Sequence, residues 1–475
     1  MRAVVLRIGP LWRPRFQTAT VIVGGALVAA FAGKEISQSG GTELTKPLLA
    51  LVALSGAVVL FVIPTEKLFL GWLVVAPLFQ NAADASSIGK PLTFVFYLAP
   101  AAIIGCQTVR GWRARPDASL VDVFPGLFGG LVLASALVSS PAFRDNPTGL
   151  AKEVFQTTLI GVVMYYFLVF GPGAGIRASA IAKALFGGAL VQAILSIVEW
   201  RTGWLLWGPN PYQYLDFART SGTFQSPGAL GALLGSAIVL ALAVLAWSGP
   251  ARLRRISWVI VVVGVPGLLV TLTRGPILAT LVAGFGLLFL ARRARAVTVG
   301  LLVVVVVALV QLWPQIERAE LYQERFADRV NVQGREDVQD VSLLAARKKP
   351  VLGWGYGSFE EAKNASSSSF QARVQGSLDT TSHNTFLTIL VEFGAIGLAF
   401  LLVPLLVIVG RGFATVRRRA EEAWFVAGSM AAVVVCVLTA NTTDQKYFSF
   451  VTLLPWLFLG AIRRAQSEEA PRSAS

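Results

Sequence analysis

Residues 257–291 read SWVIVVVGVPGLLVTLTRGPILATLVAGFGLLFLA. Two apolar runs, 257–272 and 276–291, are divided only by Thr273, Arg274 and Gly275. A helix rises about 1.5 Å per residue, so about 17 to 20 apolar residues cross the roughly 30 Å hydrocarbon layer of a bilayer. Each run, at 16 residues, comes close to that length and is a candidate span, and the pair is either a tight hairpin or one broken helix. A soluble protein has no use for so much unbroken apolar sequence around one arginine. The stretch therefore selects a membrane helix bundle.

The rest of the chain repeats the pattern. Further apolar runs lie near 18–33, 47–63, 68–80, 92–106, 120–138, 153–170, 178–198, 228–247, 297–313, 385–409, 423–440 and 447–462. The run at 68–80 is short and could be re-entrant. Of 475 residues, 55% are hydrophobic and only 14% charged, and the mean hydropathy is +0.66. Soluble domains carry about 25% charged residues, so a soluble multidomain enzyme and a disordered chain are excluded. The expected fold is all-α: a polytopic transmembrane bundle of about 12–14 spans. It divides into an N-terminal multi-span region (1–200), central spans (201–313), a long external loop (314–384), C-terminal spans (385–462) and a disordered cytoplasmic tail (463–475).

Charge tests the topology. With a cytoplasmic N-terminus, the same side collects the clusters Arg252, Arg254 and Arg255; Arg292, Arg293 and Arg295; and Arg417, Arg418 and Arg419. The opposite side keeps scattered single cations such as Lys90, Arg219 and Lys446. Short cytoplasmic loops are enriched in Lys and Arg, so both termini are expected in the cytoplasm. The net charge of +15 is then an orientation signal and not a nucleic-acid footprint. The first basic stretch, apolar run and Ala30-Phe31-Ala32 also resemble a cleavable signal; the many later runs favour an uncleaved first span.

The external loop has its own pattern. In Glu336 to Arg347, the residues Val338, Val341 and Leu344/Ala345 fall at helical spacing, with acidic residues first and basic ones last. That predicts a short amphipathic helix, stopped by Pro350. Gly353-Trp354-Gly355-Tyr356-Gly357 follows as a tight turn, and Ser366 to Ser369 as a mobile stretch. No strand precedes these glycines, so they do not form a dinucleotide fingerprint.

Three polar features stand on the predicted external side. Arg219 precedes a span, in Arg219-Thr220-Ser221-Gly222-Thr223-Phe224. Arg274 occupies the junction quoted above. His383, the only histidine, precedes the span starting near Thr385. A guanidinium can grip a phosphate through paired hydrogen bonds, and a charge so near the bilayer usually has a partner or ligand. An imidazole can accept a proton near neutral pH, and a helix start disfavours its charged form. Taken singly, each has a plainer explanation: a solvated loop charge for Arg219, a snorkelling anchor for Arg274, a headgroup-level loop histidine for His383. Cys106 and Cys436, both inside apolar runs, form no disulfide framework. No His/Cys/carboxylate cluster has metal spacing, and no Walker motif occurs.

The ordered set of pieces resembles the O-antigen ligase and O-antigen polymerase superfamily of bacterial membrane glycosyltransferases. Those pieces are Arg219-x-x-Gly222-x-Phe224, Thr273-Arg274, Gly334-Arg335 opening an external helix, Pro350-x-x-Gly353-x-Gly355-x-Gly357-x-Phe359, His383-Asn384-x-x-Leu387 and Glu392-x-Gly394-x-x-Gly397. The resemblance covers roughly 210–455 and implies a GT-C-like bundle of about twelve spans acting on the non-cytoplasmic face of the inner membrane. It implies a metal-independent, cofactor-free transfer of a glycan from an undecaprenyl-diphosphate carrier to a glycan or lipid acceptor. On that resemblance Arg219 and Arg274 hold the diphosphate and His383 is the base. Arg335 shapes the substrate face, although a salt bridge to Glu336 or Asp337 explains it equally. Ligase, polysaccharide polymerase and protein O-glycosylating transferase stay open. A transporter or flippase is the competing class; it calls for ionisable residues at mid-span, whereas Glu153, Lys183 and Glu392 fall near span ends.

Overall fold

A computed structural model describes residues 64–80, 118–139, 147–206, 213–214, 217–224, 226–290, 330–366, 382–418, 422–445 and 449–469. Within them the chain is helical, apart from a two-residue antiparallel pairing of Gln213–Tyr214 with Phe217–Ala218. The helices are α1 (Thr65–Val75), α2 (Val123–Ser139), α3 (Pro147–Val154), α4 (Ile160–Val169), α5 (Ala178–Thr202), α6 (Pro227–Ala246), α7 (Ala251–Leu269), α8 (Arg274–Leu290), α9 (Val330–Lys348), α10 (Phe359–Ser366), α11 (Thr385–Arg417), α12 (Ala423–Ala440) and α13 (Ser449–Glu469). One π-helical turn, Phe155–Leu159, joins α3 to α4.

The expected membrane bundle is present. Among the described residues, five stretches are long and apolar enough to cross a bilayer: Leu120–Val138, Ala178–Thr202, Pro227–Ala246, Thr385–Arg417 and Ala423–Ala440. Phe155–Val169 and α8 are shorter apolar helices. The runs at 18–33, 47–63, 92–106 and 297–313 lie outside the described residues. The short run at 68–80 forms the 11-residue α1 and a 3-10 turn, Ala76–Phe79.

The opening stretch resolves into a hairpin. Four residues, Val270 to Thr273, separate α7 from α8, with Leu272 at φ +49°. Both helices pack on α6, whose residues are almost all buried. Gly231 of α6 lies against Pro276 and Leu268, Gly235 against Thr280, and Gly264 of α7 against Ile238. Hence α8 runs parallel to α6 and α7 antiparallel to it. α12 closes the other side of α6, antiparallel, with Gly235 on Val435 and Gly428 on Leu240 and Ala243. Small residues allow such close approach, which supplies packing where no water drives helices together.

α6 therefore gives the bundle two distinguishable ends. At one end lie the starts of α7 and α12 and the last turns of α11 and α13. Arg252, Arg254, Arg255, Arg411, Arg417, Arg418, Arg463 and Arg464 gather there. The expected disordered tail from 463 is corrected at this point: α13 continues to Glu469. Arg463 donates to both Asp122 carboxylate oxygens, Nε and Nη2 each at 2.9 Å, and Tyr165 donates to the same carboxylate at 2.6 Å. Arg464 donates to the Ile176 carbonyl and reaches Glu422 at 3.4 Å. A buried cation needs such partners, and they extend the helix past the apolar run.

Candidate functional site

The opposite end of the bundle holds the starts of α6, α8, α11 and α13 and the ends of α5, α7 and α12. Four short connections meet there: 219–224, Val270 to Thr273, Ser382 to Asn384, and Asn441 to Gln445.

The first connection carries Arg219 and rests on α5. Glu199 of α5 is 1% exposed and accepts from the Ser221 N–H at 3.0 Å and the Gly222 N–H at 2.7 Å. Gln192, one helical face further down, donates to Thr223 Oγ1 at 2.6 Å. Thr223 in turn donates to the Pro77 carbonyl at 2.6 Å. Gly222 sits at φ +59°, and a Cβ there would press on Gln192 Oε1, so the glycine of Arg219-x-x-Gly222-x-Phe224 is a steric requirement. Phe224 is buried and meets Phe450 edge-on. Ser226 then caps α6 by accepting from the Gly228 N–H.

Arg219 is half-buried, and its Nη2 donates to Thr273 Oγ1 at 2.9 Å. That contact brings it to the residue preceding Arg274, the exposed first residue of α8. A cation at the positive end of a helix dipole is locally unfavourable, and a bound anion reverses that.

His383 lies on the other side of the same end. It is half-buried and adopts φ +53°, a left-handed conformation that L residues avoid. Asn384 caps α11 by accepting from the Phe386 and Leu387 N–H groups at 3.0 and 3.2 Å. The Asn441–Gln445 connection links the two sides. Gly275 packs against Thr442, and the Asn384 side chain donates to Asn441 Oδ1 at 3.5 Å. A run of contacts thus links these connections, Arg219 on Thr273, Gly275 on Thr442 and Asn384 on Asn441, with Arg274 and His383 as chain neighbours of the residues in contact.

Arg335 is not part of that run. It is exposed in the second turn of α9, which starts at Val330, earlier than Gly334-Arg335 suggested. The predicted amphipathic face is real: Val338, Val341 and Ala345 are fully buried, and Val338 and Ala345 share a small core with Val391 of α11.

The glycine-rich turn after α9 clasps α11 where that helix breaks. The Trp354 and Gly355 N–H groups donate to the Val391 and Glu392 carbonyls at 2.9 and 2.8 Å. The Ala395 and Ile396 N–H groups donate back to Pro350 and Val351 at 2.8 and 3.3 Å. Gly394 takes φ +63°, ψ −165°, a region only glycine tolerates. Glu392, fully buried, accepts from the Gly357 N–H at 3.2 Å. Tyr356 is also fully buried and donates to Glu153 at 3.1 Å. Burial and the nearby carboxylates of Glu153 and Glu392 push its phenol up, so it remains a donor. The glycines hold backbone against backbone.

A cavity of about 70 Å³ opens between α2, α11, α12 and α13, lined by Thr385, Phe386, Phe393, Cys436, Gln445 and Trp456 among others, and its walls are mostly apolar.

Sequence reading missed Glu199, Asp444, Ser382 and Thr388. The available signal was positional: Glu199 closes an apolar run, and Asp444 sits in the few residues between the runs 423–440 and 447–462.

The family model described as O-Antigen ligase matches residues 260–402. The match takes in Arg274, Arg335, His383 and Glu392-x-Gly394, and it leaves Arg219 outside. No curated protein matches the chain.

Proposed function

Starting from a segment of the O-antigen ligase superfamily set in a membrane helix bundle, we propose that this chain transfers a glycan from an undecaprenyl-diphosphate carrier to an acceptor hydroxyl. The acceptor oxygen attacks the anomeric carbon, the bond to the diphosphate breaks, and the hydroxyl proton passes to an imidazole nitrogen of His383. Arg219 and Arg274 stabilise the charge that develops on the departing diphosphate. One arm of Arg219 is already fixed by Thr273, so little reorganisation is needed when the anion arrives. Direct displacement inverts the anomeric centre.

The observation that carries this reading is that the connections bearing Arg219, Arg274 and His383 lie at one end of the bundle and are tied together through Thr273, Thr442 and Asn441. The small cavity reached by Thr385 is mostly apolar, which is compatible with apolar groups packing beside the polar site. The gathering of arginines at the opposite end supports cytoplasmic termini and an exoplasmic site.

Purified protein incubated with an undecaprenyl-diphosphate oligosaccharide and a lipid, glycan or peptide acceptor tests it, with the product identified by mass. His383→Ala is expected to lower transfer at least about 10²-fold while the protein still inserts; transfer near the wild-type rate removes His383 from the mechanism. The positive charge here comes from guanidinium groups, so activity is expected to survive EDTA. Loss rescued by magnesium counts against the arginine clamp. Which acceptor is consumed separates ligase from polymerase and from protein glycosylation.

A further inference from the structure

We propose that Asp444, Thr388 and Ser382 form a hydrogen-bonded support that fixes the strained turn of His383 and thereby aims its imidazole; this rests on the reading of His383 as the base. Asp444 is 3% exposed. The Thr388 hydroxyl donates to Asp444 Oδ2, at 2.5 Å. Thr388 has one proton, and with that proton committed its oxygen receives from Ser382 Oγ at 2.7 Å. Ser382 likewise has one proton, which is shared between Thr388 Oγ1 and the Asn384 carbonyl 2.6 Å away, and its oxygen accepts from the Asn384 N–H at 3.1 Å. The serine oxygen therefore closes a ring over His383, bonding both backbone groups of the next residue.

That ring encloses the one residue of the connection held at φ +53°. A left-handed conformation in a non-glycine residue persists only where its surroundings over-determine it. The same connection secures the far side of the turn. Thr385 Oγ1 accepts from the Gln445 N–H at 2.8 Å and donates to the Thr443 carbonyl at 3.2 Å. Because Gly275 packs on Thr442, the residues that hold His383 also set its register against Arg274. A buried carboxylate is costly unless its interactions compensate, and this one sits at the point from which both halves of the site are aligned.

Thr388→Val removes the hydroxyl at nearly constant shape, and Thr388→Ser keeps it. His383 is the only histidine, so in untagged protein a single pair of ring signals in a histidine-selective NMR spectrum reports its environment. Thr388→Val is expected to lower kcat about 10²-fold, the scale of an ångström-sized misplacement, to change KM for the lipid-linked donor less than about 2-fold, and to move or broaden the ring signals. Thr388→Ser is expected to restore both readouts. Wild-type kcat in Thr388→Val overturns the proposal, and so does a lowered kcat with unmoved ring signals, because the loss then arises elsewhere. Failure of the underlying reading looks different: His383→Ala itself keeps full activity. Loss in His383→Ala beside a full-rate Thr388→Val removes the support alone.

Discussion

At the residue scale, Arg274 makes the sharpest demand. It begins α8 and stands next to the Thr273 hydroxyl that already holds Arg219. If its work is to bind two oxygens of a diphosphate at once, the planar fork matters and the charge alone does not suffice. Arg274→Lys is therefore expected to lose nearly as much activity as Arg274→Ala, measured as kcat/KM for the lipid-linked donor. Full activity in the lysine variant refutes the bidentate clamp. Arg274 and His383 were legible in the sequence because each is a polar outlier against an apolar run. Ser382, Thr388 and Asp444 were not, for a physical reason. Hydroxyls in membrane helices commonly bond back to their own helix, as Thr280 does to the Pro276 carbonyl, and nothing local distinguishes those from Thr388, whose partner is 56 positions away.

At the element scale, the clasp between the glycine-rich turn and α11 is what joins the external segment to the bundle. A Cβ on Gly394 would collide with the backbone of Val351, and one on Gly353 with the backbone of Glu392. Neither neighbour is a flexible side-chain end, so the clash cannot be relieved cheaply. Gly394→Ala is expected to cost at least about 2 kcal/mol, combining backbone strain with lost clasp bonds. The control lies in the same helix. Gly410 has open space where a Cβ would go, so Gly410→Ala is expected to be neutral or to stabilise by up to about 1 kcal/mol. Thermal unfolding in detergent compares them; equal midpoints for the two variants refute the clasp. The sequence marked both halves, as a tight turn and as Glu392-x-Gly394, and the period of Val338, Val341 and Ala345 gave the buried face of α9. It did not pair the halves, because backbone-to-backbone bonding across 37 to 45 positions leaves no side-chain signature. Nor did it carry α13 past 462: Arg463 and Arg464 look like a polar tail until Asp122 and Glu422 are brought to them.

At the scale of the whole molecule, two properties of the chain must agree. Helix directions divide the bundle into a basic end and an end holding Arg219, Arg274 and His383, and the proposed function requires the basic end to face the cytoplasm, as the charge bias of membrane insertion favours. On that proposal, a translocated donor and an external acceptor would meet at the other end. Orientation is thus a separate commitment from chemistry and can fail alone. In a background with Cys106 and Cys436 replaced, single cysteines at the exposed positions Arg347, near the end of α9, and Arg254, in the first turn of α7, report the two sides. A membrane-impermeant maleimide added to intact spheroplasts is expected to label the cysteine at 347 at once and the one at 254 only after permeabilisation. The reverse pattern would leave the contacts among Arg219, Thr273 and Arg274 intact but turn them toward the cytosol. Transfer to an external acceptor would then be impossible, however well the arginines and the histidine are aligned.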